Sequence, residues 1–343
     1  MNIRWGLIGS GRMNHTMAPA IQAAKNSHIT AIYSRDLSRA TEFATQFQIH
    51  HAYDSLEAML QNSDIDVVYV ASPNGLHAQH AVASAKAGKH VFCEKPLAIT
   101  IKGCKDIIEA CQKNNVKLGL GVMFRQHPAH QMAKSIIANG DLGQLLQAHA
   151  RLAVSWLVSQ PAWYENPNIS GGGIINMAGI HRIDLLQYLV GSEIYAVIAQ
   201  VGPVEKHRNW EQWASTLLEF ENGAQGTIQL DLRVPFSKST IEIHGTLGSI
   251  VLSGTTTSWW GGGGGELQFT NSEGVKNFQF DLIDLYRAEV EDFNDAIRLN
   301  SNPMAGGRDG LICAQVSKAW FESAQANGMR TICKTPKMKS ELL

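Results

Sequence analysis

Three short stretches carry residues able to do chemistry. The first is Cys93-Glu94-Lys95-Pro96, which closes the apolar run Val91-Phe92 and precedes a helix-like segment from about Thr100 to Asn114. A charged pair and a proline therefore sit where a buried strand ends. In open parallel α/β sheets the carboxyl ends of strands are where ligands bind, and a lysine there is costly unless it has a partner or a task. A solvated ion pair at a turn is the plainer alternative. The second stretch, Gly9-Ser10-Gly11-Arg12-Met13-Asn14, lies between the apolar run Ile3 to Ile8 and a helical pattern reaching about Lys25. Gly9 permits a tight turn, and Gly11 lets a pyrophosphate approach the backbone at a helix N-terminus. Asn14 occupies the third fingerprint position, usually Gly or Ala, so the motif is imperfect although its strand–turn–helix context is right. The third stretch runs from Gly171-Gly172-Gly173 through Met177 to His181 and Asp184. A glycine turn opens a helix on which His181 and Asp184 share a face. A histidine titrates near neutral pH, yet a lone helical histidine is more often structural. Asp184 can orient His181, pair with Arg182, or serve a helix end.

These residues need elements to hold them. A second strand, Ile29 to Ser34, ends at Ser34-Arg35-Asp36. A site for NAD usually places an acidic residue at this strand tip to bind the ribose 2′-OH. Ser34 and Arg35 suit a 2′-phosphate instead, so NADP is the preferred expectation over NAD. Asp36 either serves the ribose or caps the helix that starts near Leu37 or Ser38. A helix at about Ser55 to Gln61 follows, then the strand Val67 to Ala71, which breaks at Ser72-Pro73-Asn74-Gly75. A helix resumes at about His77 and runs to Lys86, and Leu118 to Val122 reads as one more strand. This alternation predicts a doubly wound parallel sheet over residues 1–123.

The pattern changes from Phe124 onward. A helix near His130 to Asn139 precedes β-type runs at Leu145 to Leu157, Tyr195 to Val201, Trp213 to Glu221, Ala224 to Arg233, Ile241 to His244 and Ile250 to Leu252. Several alternate polar and apolar residues, the period of an antiparallel sheet with one covered face. Helical segments fall at about Ile174 to Leu189, Leu282 to Asn300 and Leu311 to Asn327, and Gly261 to Gly265 after Trp259-Trp260 reads as a flexible loop. Residues 124–343 thus form a second α/β domain.

The 343 residues are long enough for two cores, and 44% hydrophobic with 17% charged residues is an ordinary globular profile. A net charge of −1 gives no basic surplus for nucleic acid or an anionic membrane. The five cysteines show no zinc spacing, and the 13 histidines lack an HExxH frame, so no metal is expected. An odd cysteine count and a first strand entered at once, with no leader pattern, point to reduced thiols in the cytoplasm.

Taken in order, the stretches resemble the glucose–fructose oxidoreductase / inositol dehydrogenase family (Gfo/Idh/MocA). The resemblance rests on Gly9-Ser10-Gly11, Ser72-Pro73-Asn74 with His77, Glu94-Lys95-Pro96, Phe124-Arg125 before Pro128, and the triple glycine leading to His181 and Asp184. Asn222-Gly223-Ala224, His244-Gly245-Thr246-Leu247-Gly248 and Tyr286-Arg287-Ala288-Glu289 extend it over nearly the whole chain.

The resemblance implies a Rossmann domain, a C-terminal domain with an open, mostly antiparallel sheet that often mediates homodimers or homotetramers, and NAD(P)-dependent redox chemistry at a carbinol of a sugar, polyol or related cyclic alcohol. It puts the cofactor on Gly9, Ser10, Gly11, Arg12, Met13, Ser34, Arg35, Ser72, Pro73, Asn74, His77, Glu94 and Lys95. It makes Lys95 the substrate-facing lysine, followed by a commonly cis proline peptide. Hydride transfer needs a base within hydrogen-bond reach of the hydroxyl, which His181 fits, and a cation to polarise the oxygen, which Lys95 fits. Glu94 positions Lys95 or the nicotinamide ribose. Substrate candidates are Lys95, Arg125, Trp163, Met177, His181 and Asp184. Tyr164 beside Trp163, and His127 and His130 near Arg125, are weaker candidates.

One departure stands out. The family often has an Asp four residues before this histidine, where this chain has Met177, which cannot relay a proton; Asn176 points about 100° round an α-helix. Two other readings therefore stay open. One is an NAD-dependent glycoside hydrolase or elimination enzyme on this fold, and the other is a non-catalytic dinucleotide-binding regulator.

Overall fold

The computed structural model describes residues 2–154, 160–202, 209–234, 239–256 and 264–333. Short apolar, β-branched runs joined by amphipathic helices build the first sheet. In chain order these are β1 (Ile3–Ile8), α1 (Arg12–Ala23), β2 (Ser27–Tyr33), α2 (Leu37–Phe47), β3 (His51–Tyr53), α3 (Leu56–Leu60), β4 (Val67–Val70), α4 (His77–Lys86), β5 (His90–Glu94), α5 (Ile101–Lys113) and β6 (Leu118–Gly121). The six strands are all parallel in the order β3-β2-β1-β4-β5-β6. The order reverses between β1 and β4, so the chain ends of those strands flank the crevice where doubly wound sheets bind ligands. Every residue of β4 is buried, as expected of a strand with helices over both faces.

The following elements build a second sheet. They are α6 (Pro128–Ala138), β7 (Leu145–Ala153), α7 (Pro167–Ser170), a π-turn at Ile175–Gly179, α8 (Ile180–Val190), β8 (Ile194–Val201), β9 (Trp213–Phe220), β10 (Gln225–Asp231), β11 (Thr240–Gly245), β12 (Gly248–Ser253), β13 (Gly265–Asn271) and β14 (Gly274–Phe280). The chain then forms α9 (Leu285–Arg298), α10 (Gly307–Gln325) and β15 (Thr331–Ile332). The nine strands run β14-β13-β12-β11-β7-β10-β9-β8-β15, antiparallel except for the β7–β10 pair. The alternation read from the sequence holds. In β9, Ala214, Thr216, Leu218 and Phe220 are buried while Leu217 between them is 55% exposed.

Three features stand beside the sequence reading. The hairpin β13–β14 was not read from the sequence, although Glu266 to Thr270 and Asn277 to Phe280 alternate polar and apolar residues. Parts of two expected elements, residues 155–157 of the long first run and residues 261–263 of the glycine loop, lie outside the described residues; Gly265 opens β13.

The third concerns the division of the chain. One compact unit holds residues 2–123 and Tyr286–Leu311, and the other holds 124–285 and 312–333. The first boundary falls where the pattern changes, but α9 returns to the first unit. Phe293 of α9 closes an aromatic cluster with Phe92 at 5.1 Å and Trp5 at 6.1 Å between ring centroids. Gly119 lies beneath it, where a Cβ would stand 2.6 Å from both phenylalanine rings. Among the described residues no helix is long and apolar enough to cross a membrane.

Candidate active site

In the first unit the expected cofactor residues gather at the carboxyl ends of β1, β2, β4 and β5. Gly9 takes φ +99°, a left-handed conformation that a side chain resists, and a Cβ there would lie 3.1 Å from the Ala71 carbonyl oxygen. Gly11, the N-cap of α1, has open space where its Cβ would be. The helices α2, α3 and α5 are capped by their own Asp36, Ser55 and Thr100 side chains. By contrast α1 has no side-chain cap and no acidic residue in its first turn, so no side-chain negative charge is built into its N-terminus. Asn14 explains its own departure from Gly or Ala: it is buried, and its Nδ2 donates to the carbonyls of Ile8 at 3.0 Å and Gly9 at 2.7 Å, pinning the turn. Arg12 is exposed and Met13 half-buried on the first turn of α1.

At the tip of β2 the Ser10 hydroxyl donates to that of Ser34 at 3.3 Å, and Arg35 is exposed. Asp36 is occupied as a helix cap. Its Oδ1 accepts from Ser38 N at 2.9 Å and Ser38 Oγ at 2.6 Å, and these bonds hold its carboxyl below the usual range. After β4, Ser72 is buried and Pro73 precedes a 3-10 turn over Asn74–Leu76.

His77 links two strand ends. Its ring is buried, with Nδ1 2.8 Å from the Pro96 carbonyl and Nε2 2.8 Å from the Ser72 carbonyl. Burial lowers its pKa despite those two acceptors, which favour the charged form. The ring thus ties the end of β4 to the end of β5 and positions the loop that holds Lys95.

Glu94, the last residue of β5, is 6% exposed. Its Oε1 accepts from the Tyr69 hydroxyl at 2.7 Å and its Oε2 from the Lys95 amide at 3.2 Å. Burial raises its pKa, with Lys95 and Tyr69 pulling the other way. Gly121 on the neighbouring strand leaves the space, since a Cβ there would come within 3.0 Å of Glu94 Oε1. Lys95 is half-buried, and burial lowers its pKa against the opposing charge of Glu94. The Lys95–Pro96 peptide is cis.

The second unit carries the remaining candidates. Asp184 pairs with Arg125, through Nε–Oδ2 at 3.0 Å and Nη2–Oδ1 at 2.6 Å. Both side chains are buried, and the Arg125 guanidinium also lies 5.1 Å from the Tyr188 ring centroid. This bidentate pair engages the two groups proposed for substrate. Arg182 is buried against the Phe124 ring, its Nη2 on Ser239 Oγ at 3.3 Å and Thr256 Oγ1 at 3.0 Å, and burial lowers its pKa to about 9. The other face of the story is His181, 4% exposed and edge-on to the same Phe124 at 5.1 Å between ring centroids.

Met177 and Asn176 lie on the π-turn, where the Ile180 amide reaches back to the Ile175 carbonyl. The 100° spacing of an α-helix does not apply there. Met177 is buried, and Asn176 is engaged by Gly171 O at 2.6 Å and Ser317 Oγ at 2.8 Å. Trp163, half-buried, stacks on Tyr164 at 4.3 Å on a 3-10 turn. His127 caps α6, and His130 bridges Phe124 O and Thr255 Oγ1, its pKa lowered by burial to about 3, so both are structural. Two residues were missed: Tyr69, read only as part of an apolar strand, and Glu211, whose contact with the glycine turn is long-range and leaves no local pattern.

Known proteins resemble the chain over most of its length. A model described as an oxidoreductase family with an NAD-binding Rossmann fold matches residues 3–122, and one for the GFO/IDH/MocA C-terminal domain matches residues 130–251. The chain is 28% identical to 1,5-anhydro-D-fructose reductase of Ensifer adhaerens over 90% of its own length and 92% of that protein. It is 30% identical to levoglucosan dehydrogenase of Pseudarthrobacter phenanthrenivorans over 74% of each chain. The solved structure of a levoglucosan dehydrogenase in complex with NADH and levoglucosan superposes with a TM-score of 0.87 at 27% identity, covering 98% of this chain and all of that one. With its uncapped α1, its Glu94-Lys95-Pro96 strand end and its mixed C-terminal sheet, this chain belongs to the Gfo/Idh/MocA family of NAD(P)-dependent oxidoreductases.

Proposed function

We propose that the chain transfers a hydride between NADP, or less favourably NAD, and a carbinol of a sugar or related cyclic alcohol. The observation that carries this reading is the setting of Lys95, held at a strand end by the buried Glu94 carboxylate with its ammonium pKa lowered by burial. The bound dinucleotide supplies the hydride acceptor or donor. Gly9, Ser10, Gly11 and the first turn of α1 hold its pyrophosphate, and Ser34 and Arg35 take the 2′-phosphate, with Asp36 committed to its cap. Lys95 polarises the substrate oxygen and stabilises alkoxide charge. His181 accepts or returns the hydroxyl proton. Met177 gives that proton no side-chain relay, so we assign the task to His181 alone. Trp163 offers its indole face to a sugar ring.

We assign self-association to the uncovered face of the nine-stranded sheet, in a homodimer or homotetramer. Leu217 at 55% exposure and Tyr195 at 41%, on the neighbouring strands β9 and β8, support an apolar interface there.

The test is an NAD(P)H absorbance assay over a panel of pyranoses, anhydrosugars and cyclitols with each cofactor. Lys95→Ala and His181→Ala are expected to keep cofactor binding while turnover falls roughly a hundredfold or more. Near-normal turnover in both variants defeats the assignment. Glycoside cleavage without net NAD(P)H change would favour the elimination chemistry that an absent Asp permits, and firm cofactor binding with no reaction would favour a regulator.

A further inference from the structure

The helix bearing His181 is anchored on both sides of its π-turn. On the C-terminal side the anchor is the Arg125–Asp184 pair. On the N-terminal side Asn176 is held by Gly171 O and Ser317 Oγ, and the helix start before it is held by Glu211. Its Oε1 accepts from the amides of Gly173 at 2.8 Å and Ile175 at 3.2 Å, its Oε2 from Gly173 at 2.9 Å, and its main-chain oxygen from Ile174 at 3.0 Å. Three successive amides at the positive end of the helix therefore terminate on one acidic residue. Glu211 is 6% exposed, and burial raises its pKa while the amides lower it. The fit is close. A Cβ on Gly173 would lie 2.4 Å from the Glu211 carbonyl oxygen and 2.8 Å from the Trp210 ring. The Trp210 indole N–H in turn donates to Glu165 Oε1 at 3.0 Å, and the Asn209 amide to Glu165 Oε2 at 2.9 Å, so the support under Glu211 is itself tied down.

A π-turn holds one more residue than an α-helical turn would and is rare without a cause. Strained local geometry persists where its surroundings fix it. Here the helix start and the middle of α8 are both held, and the surplus residue lies between them.

We propose that Glu211 is a positioning residue. It pins the first turn of the helix so that the π-turn stays wound and Met177 and His181 keep their mutual orientation. This rests on His181 being the acid/base of the reaction above. With the Glu211 anchor released, Ile175 to Gly179 is held on that side by the Asn176 bonds to Gly171 and Ser317 alone, and rewinding toward α-helical bonding becomes easier. That rotates the residues before His181 while Arg125 still holds Asp184.

The experiment uses the full chain with Glu211→Gln, which keeps one carbonyl acceptor but turns an NH2 toward the Gly173 amide, and Glu211→Ala, which removes both acceptors. Hydrogen exchange is read by mass spectrometry on the substrate-free protein, alongside kcat, KM and cofactor affinity. The expected result is exchange over residues 175–181 faster by roughly tenfold and kcat lower by roughly 10- to 100-fold. Cofactor affinity should be unchanged, and the Gln variant should lie between wild type and Ala. Wild-type exchange in that segment together with wild-type kcat in the folded variants overturns the proposal. So does a loss of kcat that merely follows loss of folded protein. Should the Ala variant fail to fold, the Gln variant decides. The exchange readout needs no turnover, so a failure of the clamp is distinguishable from a failure of the His181 assignment, which His181→Ala tests alone.

Discussion

Arg125 and Asp184 meet as a buried, bidentate ion pair, with Nη2–Oδ1 at 2.6 Å and Nε–Oδ2 at 3.0 Å. Asp184 stands one turn beyond His181 on α8, and Arg125 stands next to Phe124, whose ring lies edge-on to His181. The pair therefore joins the two segments that frame the histidine. Its chemistry is structural: each group satisfies the charge that the other brings into the interior.

Breaking it should be expensive. Asp184→Ala leaves a buried guanidinium without its counter-charge, and a stability loss of about 3–5 kcal/mol is expected. Urea titration measures this. A loss below about 1 kcal/mol would show that water reaches Arg125 and that the pair is effectively exposed.

Acid should destabilise the protein through histidines held neutral. Burial lowers the pKa of His130 to about 3 and that of His80 to about 4, against an ordinary 6.5. Between those values and 6.5 the unfolded chain binds protons that the folded chain refuses. Their contribution is whole above pH 6.5 and shrinks as the pH falls toward 4 and then 3. His130→Gln, which cannot titrate, should flatten the dependence of stability on pH in this window. Thermal midpoints collected from about pH 7 to about pH 5 read the slope directly, and a slope equal to wild type would place His130 in solvent.

Cofactor choice should follow Arg35 and not Asp36. Arg35→Ala is expected to weaken NADPH binding roughly tenfold or more through loss of a charge-assisted bond, with little effect on NADH. Asp36→Ala should shorten α2 at its start and leave the ratio of the two affinities alone, because the carboxylate is spent on Ser38. Fluorescence titration of both nucleotides with both variants separates these outcomes. A gain in NADPH preference on losing Asp36 would count against the capping assignment.

Gly119 should be intolerant of even one methyl group. A Cβ would meet Phe92 and Phe293 at 2.6 Å, and overpacking of this kind costs about 1–3 kcal/mol. Gly119→Ala should lower the thermal midpoint, and Phe293→Leu in the same chain should recover part of the loss by making room.

Local patterning carried most of the fold. Strand–glycine–helix order and the period-two alternation of β9 and β10 are properties of neighbouring residues, and both were readable. The strand ends at Gly9, Gly11 and the tip of β2 were legible for the same reason, since they follow from where the apolar runs stop. What escaped were relations between distant residues. Tyr69 looks like any apolar position on a buried strand until its hydroxyl is seen on Glu94. Glu211 lies 38 positions from Gly173 in the chain, and no periodicity links them. The π-turn was hidden too, because apolar residues at Ile174, Ile175 and Ala178 read equally well as ordinary α-helix. The hairpin β13–β14 was missed although Leu267, Phe269, Phe278 and Phe280 recur with period two.

The return of α9 to Trp5 and Phe92 has a consequence for synthesis. The strands of the nucleotide-binding unit precede those of the other sheet in the chain, yet the helix that seals their aromatic face follows β14, after eight of the nine strands of that other sheet. Until then a tryptophan and a phenylalanine wait without their cover, and a fragment ending at residue 123 would be stranded in that state. A nucleotide-binding fragment is therefore expected to keep its aromatic face covered only with the α9 segment grafted back on.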